Sequence, residues 1–272
     1  MTYRLAAADV DGTILARGKA ISPRVRGAVA GARRFGCEVT LASGRMYPLL
    51  ADLVDLLGIQ VPVICYGGAL IVDPRDCQVL YQRTIPLDLA REVIKAARVR
   101  GHVARVYLGD DVVVDRIDPL AYNYDSLIRV KARAVGNLLE FLDVEPTHLA
   151  IDAPPDRTRA LVTEMRDCFQ GRLNVTTGHP LLTEFSLPDV HKGTALSWLA
   201  QHLGIPRSET LAIGDDWNDL PLLRAAGLGL AVANAQPELV AMADGIVPSV
   251  DDDGVAVALE THVFRGAMGE GD

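Results

Sequence analysis

Apolar and amphipathic segments alternate at both ends of the chain in the order strand, helix, strand. Residues 3–8 predict a strand, because Tyr3, Leu5 and Ala7 alternate with Arg4, Ala6 and Ala8. A helical pattern then begins at Ser22 and Pro23 and stops at Gly36. The alternation continues at 38–42, 48–57 and 62–65, and it returns at 192–203, 210–213, 216–226, 228–232 and 245–247. Strands connected through helices by short loops predict a parallel sheet covered by helices.

The middle of the chain lacks this regular alternation. Between residues 84 and 187, helical and strand-like patterns intermix, and Pro86 and Pro188 bracket the region as candidate linkers. We therefore predict an inserted domain of mixed α+β type at 84–187. The core would then be discontinuous and consist of residues 1–83 and 188–272.

Composition and charge narrow the class of protein. The chain has 272 residues, 49% of them hydrophobic, which is too apolar for a disordered protein. Acidic residues outnumber basic ones by 35 to 27, and this balance argues against nucleic acid as a main partner, because phosphate binding needs a basic face. No apolar stretch approaches the ~18 to 20 residues of a membrane span, and we expect no signal peptide, because Asp9 and Asp11 follow the first eight residues directly. We expect a cytoplasmic protein with neither a nucleic-acid nor a membrane partner.

The first candidate site is the segment Asp9-Val10-Asp11-Gly12-Thr13, directly after the first predicted strand. Two carboxylates two residues apart at a strand end can face one pocket, and their repulsion favours a divalent cation or a shared proton. Gly12 allows a sharp turn and exposes backbone amides to an anion. An acidic turn without chemistry explains the same segment about equally well.

Two further segments suit an anionic ligand. Ser43-Gly44-Arg45 follows the predicted strand at 38–42, where a hydroxyl and backbone amides suit a phosphate oxygen, and Arg45 either adds a charged fork or lies on the rim. Lys192 stands at a helix start, which the helix dipole disfavours for a cation unless the amine is directed at an anion. The alternatives are a simple helix cap at Ser43 and a solvated side chain at Lys192.

The segment Gly214-Asp215-Asp216-Trp217-Asn218-Asp219 concentrates acidic and amide side chains directly after another apolar strand. Ligands bind at the carboxyl ends of strands in open parallel sheets, and this segment lies at such an end. Asp215 is therefore the best candidate to share a cation with Asp9 and Asp11.

The later residues of that segment have more than one interpretation. Asn218 and Asp219, about one turn further on, are candidates to hold coordinated water or to orient Lys192. Part of the acidic content, including Asp216, also suits capping of the helix that follows. We expect Trp217 to pack rather than to take part in chemistry.

Together the motifs resemble those of the haloacid dehalogenase superfamily of phosphohydrolases. All four motifs occur in the same order as in that superfamily: Asp-x-Asp-Gly-Thr, Ser-Gly-Arg, Lys-Gly-x-Ala-Leu and Gly-Asp-x-x-Asn-Asp. The large insert between the second and third motifs resembles the Cof-type branch. The resemblance covers both ends of the chain and implies an α/β fold, with a Rossmann-like parallel-sheet core, helices on both faces, and an inserted α+β cap that serves as a substrate lid.

The resemblance also implies roles for individual residues. Asp9 would be the nucleophile that takes the phosphoryl group, and Asp11 the general acid for the leaving alcohol and then the base for water. Mg²⁺ would be held by Asp9, the backbone carbonyl of Asp11, and Asp215. The other candidates would bind phosphoryl oxygens (Gly12, Ser43, Gly44, Lys192 and Asn218) or support the site (Thr13, Arg45, Asp216 and Asp219).

One position departs from the family pattern. Many relatives carry Asn-Gly-Ala after the third strand, where this chain has Tyr66-Gly67-Gly68-Ala69. The amide missing at Gly67 is expected to change contacts at the cap hinge or with the substrate, without affecting the four motifs.

We therefore expect a Mg²⁺-dependent phosphatase that hydrolyses a small phosphomonoester, such as a sugar phosphate or similar metabolite, through an aspartyl-phosphate. A phosphotransferase or phosphomutase would use the same core residues. A non-catalytic regulator that binds a phosphorylated metabolite is a third possibility, and the complete set of acids, hydroxyl and lysine argues against it. The sequence indicates neither the substrate nor the oligomeric state.

Overall fold

The computed structural model describes residues 2–117, 119, 130–177 and 180–264. The strands described are β1 (Leu5–Ala8), β2 (Glu38–Leu41), β3 (Val63–Cys65), β4 (Leu70–Asp73), β5 (Gln78–Gln82), β6 (Val103–Leu108), β7 (Asp111–Val114), β8 (Arg133–Ala134), β9 (His148–Asp152), β10 (Asn174–Thr176), β11 (Leu182–Ser186), β12 (Thr210–Gly214), β13 (Leu228–Val232) and β14 (Gly245–Val247). The α-helices described are α1 (Pro23–Ala32), α2 (Ala51–Leu57), α3 (Leu87–Val99), α4 (Leu138–Phe141), α5 (Pro155–Cys168), α6 (Lys192–His202), α7 (Leu220–Ala225), α8 (Pro237–Val240) and α9 (Gly254–Leu259). Short 3₁₀ turns lie at Arg33–Phe35, Tyr47–Leu49, Tyr66–Gly68, Arg207–Glu209, Trp217–Asp219 and Val250–Asp252, and a π-helical turn lies at Glu260–Phe264.

The chain forms two compact units. One unit combines Met1–Tyr81 with His191–Asp272, and the other is Gln82–Val190. The first contains the predicted parallel sheet and all four sequence motifs, and the second contains a separate, mostly antiparallel sheet. The fold is thus α/β with a parallel-sheet core and an additional α+β unit, as the sequence predicted.

The central sheet of the first unit has the strand order β14-β13-β12-β1-β2, and every pair in it is parallel. All four residues of β1 are buried, as is typical of a parallel strand that is covered on both faces. The chain moves from β1 to β2 in one direction and from β12 to β13 and β14 in the other. The point at which the strand order reverses therefore lies between β1 and β12, and ligands bind at such a point in open α/β sheets.

Helices cover both faces of this sheet. Leu5 and Ala7 of β1 pack with Leu196 and Leu199 of α6 on one face, together with apolar residues of α7. On the other face, α1 and α9 pack against each other, α1 contacts β2, and α9 contacts β13 and β14. The predicted start of α1 is confirmed, because the Ser22 hydroxyl accepts a hydrogen bond from the Val25 amide at the helix N-terminus.

Three elements differ from the sequence expectation. The predicted strand at 62–65 is present as β3, but it pairs antiparallel with β4 in a second small sheet, β3-β4-β5, because the Tyr66–Gly68 turn reverses the chain. Its link with β2 is a parallel bridge between Ala42 and Ile64. The helix predicted at 216–226 is a 3₁₀ turn followed by α7, which has proline in its first turn, and the one at 48–57 is a 3₁₀ turn followed by α2.

The second unit is built on the sheet β10-β11-β9-β6-β7-β8, in which all pairs except β7–β8 are antiparallel. Its apolar core contains residues of α3 and α5, including Val93, Ile94 and Leu161, packed on Leu149 and Ile151 of the central strand β9. Within the described ranges of either unit, no helix has the length and apolar character needed to span a membrane.

Candidate active site

The pairing of β1 with β12 brings the first and fourth motifs together. Ala8 is in register with Ile213, and the Asp9 amide donates a hydrogen bond to the Ile213 carbonyl over 2.9 Å. Asp9 and Asp215 therefore leave neighbouring strands at the same edge of the sheet, although more than two hundred residues separate them in sequence.

Three carboxylates converge at this edge. Asp9, Asp215 and Asp219 each present an oxygen within 4.8 Å of the others. Asp9 is only 6% exposed and Asp219 is fully buried. The Asp11 side chain is not a member of this carboxylate cluster within the part of the chain that the structure describes.

Lys192 supplies the positive charge of the cluster. Its Nζ lies 2.5 Å from Asp9 Oδ1 and 2.5 Å from Asp219 Oδ1, and its side chain is 1% exposed. The residue opens α6, whose first turn is capped by His191: the His191 Nδ1 accepts from the Thr194 amide, and the Thr194 hydroxyl donates to the His191 carbonyl. The alternative of a solvated Lys192 is wrong, because burial and two ion pairs hold its ammonium inside the site.

Asp219 orients the rest of the cluster. Its Oδ1 accepts from Lys192, while its Oδ2 accepts from the backbone amides of Asp215 and Asp216 over 3.0 and 3.1 Å. Both carboxylate oxygens are thus engaged. Asp219 holds Lys192 against Asp9 and fixes the start of the loop that carries Asp215.

Gly12 and Thr13 of the first motif contact the fourth motif directly. The Thr13 hydroxyl donates to Asp215 Oδ1 over 2.7 Å. Gly12 has a φ of 91°, and a Cβ on it would lie only 2.2 Å from Asp215 Oδ2, so a side chain here would displace that carboxylate. The Gly12 amide donates to the Leu15 carbonyl over 3.0 Å, and in this structure it is therefore used within the turn rather than directed at an anion.

The electrostatics of the cluster oppose ionisation of two of its acids. Burial, reinforced by the charge of Asp219, raises the pKa of Asp9 well above its ordinary value, although the Lys192 ammonium acts in the opposite direction. Burial raises the pKa of Asp215 to about 6. For Lys192, burial alone would lower the pKa, but the charges of Asp219 and Asp9 outweigh it and raise the pKa.

These properties suit a hard divalent cation. Mg²⁺ prefers carboxylate and carbonyl oxygens, and a cation between Asp9 and Asp215 would offset the cost of ionising both. Asp219 is less suited as a ligand because both of its oxygens already accept hydrogen bonds. The chemistry of the donor set therefore fits the expected ion, and Asp9 and Asp215 are the carboxylates that could hold it.

Asp11 lies beside the cluster rather than in it. Its side chain is 60% exposed, and its two oxygens accept from Arg45 Nη2 over 2.5 Å and from Arg45 Nε over 2.9 Å. The sequence left two interpretations of Arg45, a contact with an anionic ligand or a position on the rim of the site. In the structure its guanidinium instead binds the carboxylate of Asp11. The contribution expected of Asp11 to a metal site would come from its backbone carbonyl.

The remaining candidates differ in how closely they approach the cluster. Ser43 is buried, and its hydroxyl accepts a hydrogen bond from the Arg45 amide over 3.2 Å, while Gly44 is exposed at the loop tip. Asp216 caps the 3₁₀ turn by accepting from the Trp217 amide. Asn218 is exposed, and among the described residues no hydrogen bond joins its side chain to the cluster. Trp217, which we expected to pack, is only partly packed, because the residue is 52% exposed.

Sequence reasoning missed Asn234. Its Nδ2 donates to the Gly12 carbonyl over 2.8 Å, and its Oδ1 accepts from the Val250 amide, so it fixes the outer side of the first motif. A signal was available, because Asn234 follows β13, the strand next to β12, and therefore reaches the same edge of the sheet.

Comparisons with known proteins agree with this geometry. A profile of the haloacid dehalogenase-like hydrolase family matches residues 6–259. The chain belongs to that family. The match includes all four motifs and confirms the resemblance to Cof-type phosphohydrolases.

Individual relatives are similar to this chain along most of their length. A phosphoglycolate phosphatase of Archaeoglobus fulgidus is 28% identical, over 93% of this chain and 94% of its own. The 5-amino-6-(5-phospho-D-ribitylamino)uracil phosphatase YitU of Bacillus subtilis is 24% identical, over 95% of this chain and 97% of its own. The crystal structure of a haloacid dehalogenase-like hydrolase from Bacteroides thetaiotaomicron superposes with a TM-score of 0.84 at 28% identity, over 95% of this chain and 99% of that one. The family member described here is a phosphoric monoester hydrolase that acts on small phosphate substrates.

Proposed function

We propose that the protein is a Mg²⁺-dependent phosphatase that hydrolyses a small phosphomonoester through an aspartyl-phosphate on Asp9. One observation carries the proposal: the buried Asp9 carboxylate lies within 4.8 Å of an Asp215 oxygen and 2.5 Å from the Lys192 ammonium. A carboxylate nucleophile divides hydrolysis into two displacements, and the charges around it suit the oxygens of a transferring phosphoryl group.

The residues around Asp9 divide into two groups in this proposal. Asp9 and Asp215, with the backbone carbonyl of Asp11, would hold Mg²⁺, which when bound neutralises negative charge on the phosphoryl oxygens. Lys192 and Ser43 would bind those oxygens directly. Asp219 holds Lys192 in place, which gives a fixed donor without reorganisation during the reaction.

Asp11 would protonate the leaving alcohol and then take a proton from the attacking water. Its position supports this role, because its exposed carboxylate lies two residues from the nucleophile and outside the ion pairs of the cluster. The bidentate pair with Arg45 has to open before Asp11 reaches the ester oxygen. Arg45 is then available for the phosphoryl group or for the organic part of the substrate.

The substrate class is proposed more broadly than a single compound. The names of the two relatives specify a two-carbon acid ester and a ribityl-uracil ester, so similarity at this level supports a small phosphorylated metabolite without selecting one. A sugar phosphate remains our proposal within that class. Cytoplasmic location and the lack of a nucleic-acid partner stay predictions from composition.

The test is phosphate release from a panel of phosphorylated metabolites, with Mg²⁺ and with EDTA. We expect turnover that needs Mg²⁺ and is abolished by Asp9→Asn. The matched control is Asp251→Asn, which removes an exposed carboxylate paired with Lys19 and should leave turnover unchanged. Undiminished turnover by Asp9→Asn would refute the nucleophile assignment, and transfer of phosphate to a second sugar, with no ¹⁸O from labelled water in the product, would favour a phosphotransferase.

A further inference from the structure

The turn at Tyr66–Gly68 has an unusual backbone. Tyr66, Gly67 and Gly68 follow one another with φ values of 49°, 62° and 112°. Tyr66 is buried, and a bulky residue in the left-handed region is costly unless the surroundings require it. Because a native structure retains such strain only where the surroundings require it, the positive φ of Tyr66 indicates that the chain must follow this backbone path.

One side of the turn binds the loop of the second motif. The Tyr66 amide donates to the Arg45 carbonyl over 3.0 Å, and the Gly67 amide donates to the Ser43 carbonyl over 2.9 Å. These two bonds hold both ends of the Ser43–Arg45 segment. They fix the backbone that carries the Ser43 hydroxyl and the guanidinium bound to Asp11.

The other side of the turn touches the start of α6. A Cβ on Gly68 would lie 2.4 Å from the His191 carbonyl oxygen and 3.1 Å from the Lys192 amide nitrogen. Those atoms belong to the backbone of a capped helix N-terminus, so they cannot rotate away as a flexible side chain would. Any side chain at position 68 would therefore push on the backbone that carries Lys192.

We propose that the Tyr66–Gly68 turn is a positioning element that sets the Ser43–Arg45 loop and the Lys192 helix start at a fixed separation, with Gly68 as its critical residue. The inference deepens the proposed function, on which it rests, by separating two tasks. The turn aligns the groups that bind phosphoryl oxygens. Asp9 and Asp215 also have anchors outside the turn, namely β1–β12 pairing for Asp9 and the Thr13 hydroxyl for Asp215.

Gly67 provides a matched control. It also has a positive φ, of 62°, but no heavy atom of the described residues beyond its chain neighbours would lie within 4 Å of its Cβ. Gly67→Ala therefore introduces the cost of a left-handed alanine without a steric contact. Gly68→Ala introduces a larger backbone cost, because a φ of 112° lies outside the left-handed region that alanine can enter, together with the clash against His191.

The experiment compares the two variants in the full chain, with p-nitrophenyl phosphate as substrate and inorganic phosphate as competitive inhibitor. For Gly68→Ala we expect kcat to fall on the order of 100-fold and inhibition by phosphate to weaken about tenfold, because small displacements of binding groups have effects of this size. The Mg²⁺ concentration for half-maximal activity should change less than about twofold, since the turn does not carry the metal ligands. Gly67→Ala should stay within about threefold of wild type in every parameter.

Two outcomes of that comparison would overturn the inference. One is equal behaviour of the two variants in kcat and phosphate inhibition. The other is a Gly68→Ala variant whose Mg²⁺ dependence changes as much as its phosphate inhibition. Failure of the proposed function is distinguishable from both, because wild type would then release no phosphate from any ester.

If Gly68→Ala does not fold, amide hydrogen exchange on the wild-type protein tests the same proposal. Binding of inorganic phosphate with Mg²⁺ should slow exchange at the Tyr66 and Gly67 amides together with residues 43–45 and the start of α6. Slower exchange in the Ser43–Arg45 loop with no change at Tyr66 and Gly67 would contradict the proposed coupling.

Discussion

At the scale of single residues, one ammonium balances two buried carboxylates. Lys192 lies between Asp9 and Asp219, and none of the three is more than 6% exposed. Removing one partner from such a group leaves charge buried without compensation, which costs far more than the loss of a surface ion pair.

Lys192→Met should therefore lower the free energy of unfolding at pH 7 by about 3–5 kcal/mol. The loss should shrink at pH 5: the pKa of Asp9 is already raised, removal of the ammonium raises it further, and a protonated Asp9 carries no charge to bury. Urea unfolding at both pH values measures the effect. Lys19→Met, which breaks an exposed ion pair with Asp251, should cost less than about 1 kcal/mol, and equal losses for the two variants would contradict the account.

The raised pKa of Asp215 gives a second prediction. Its folded pKa of about 6 lies above the unfolded value, so in the metal-free protein its contribution to stability falls as the pH rises through that range. Mg²⁺ binds the ionised form, so the Mg²⁺-induced rise in Tm should be larger at pH 8 than at pH 5. Asp215→Asn should abolish most of this difference. A rise that is equal at both pH values in wild type would contradict the assignment of Asp215.

Residue-scale prediction from the sequence reached the motifs and offered Asp219 as a partner of Lys192, but it did not reach the other pairings. Strand ends indicated that Asp9 and Asp215 lie at one edge, because parallel strands bring their carboxyl ends together. The pairing of Asp11 with Arg45 was not accessible, since it depends on the path of two loops that no periodicity describes. Asn234 was missed because its one signal, a position shortly after a strand next to β12, belongs to no recognisable motif.

At the scale of elements, the approach of the first and fourth motifs depends on the absence of a side chain at Gly12. Gly12→Ala should reduce kcat on the order of 100-fold, because its Cβ would displace the Asp215 carboxylate. Gly18→Ala is the matched control, since Gly18 also has a positive φ but, within the described part of the chain, open space at its Cβ. Steady-state kinetics of the two variants measures the effect, and comparable activity in both would exclude this steric role.

The sheet of the second unit contains a buried ion pair that is independent of the site. Arg105 Nε on β6 lies 2.6 Å from Asp152 Oδ1 on β9, and both side chains are almost fully buried. Arg105→Met should lower the free energy of unfolding by about 3–5 kcal/mol, because Asp152 loses its cationic partner. Adding Asp152→Leu should recover part of the loss in urea unfolding. A double variant that is less stable than Arg105→Met would contradict this explanation.

The predicted boundaries of an element agreed with the structure where the sequence contained a capping residue. Ser22 and Pro23 marked the start of α1, and Gly36 marked the end of its final turn. The antiparallel turn of β3 into β4 was not predicted, because it depends on three successive left-handed residues, and one of these is a tyrosine. Intrinsic preference argues against that conformation, and tertiary contacts override it.

At the scale of the whole molecule, the account depends on residues from both ends of the chain forming one chemical site. The family match over residues 6–259 establishes the fold and the class of reaction. The substrate was beyond prediction because a phosphoryl-transfer site recognises the group common to all phosphate esters. The division between core and insert was suggested by the loss of the strand–helix alternation, while the role of the insert as a lid stays a prediction.

The most direct test of the central claim is chemical trapping of the phosphorylated enzyme. Enzyme quenched during steady-state turnover with Mg²⁺ is reduced with borohydride, which converts an aspartyl-phosphate to homoserine, and its peptides are then sequenced by mass spectrometry. We predict homoserine at position 9, formed only when substrate and Mg²⁺ are both present. Homoserine at Asp11 or Asp215, or active turnover that leaves Asp9 unmodified, would contradict the account.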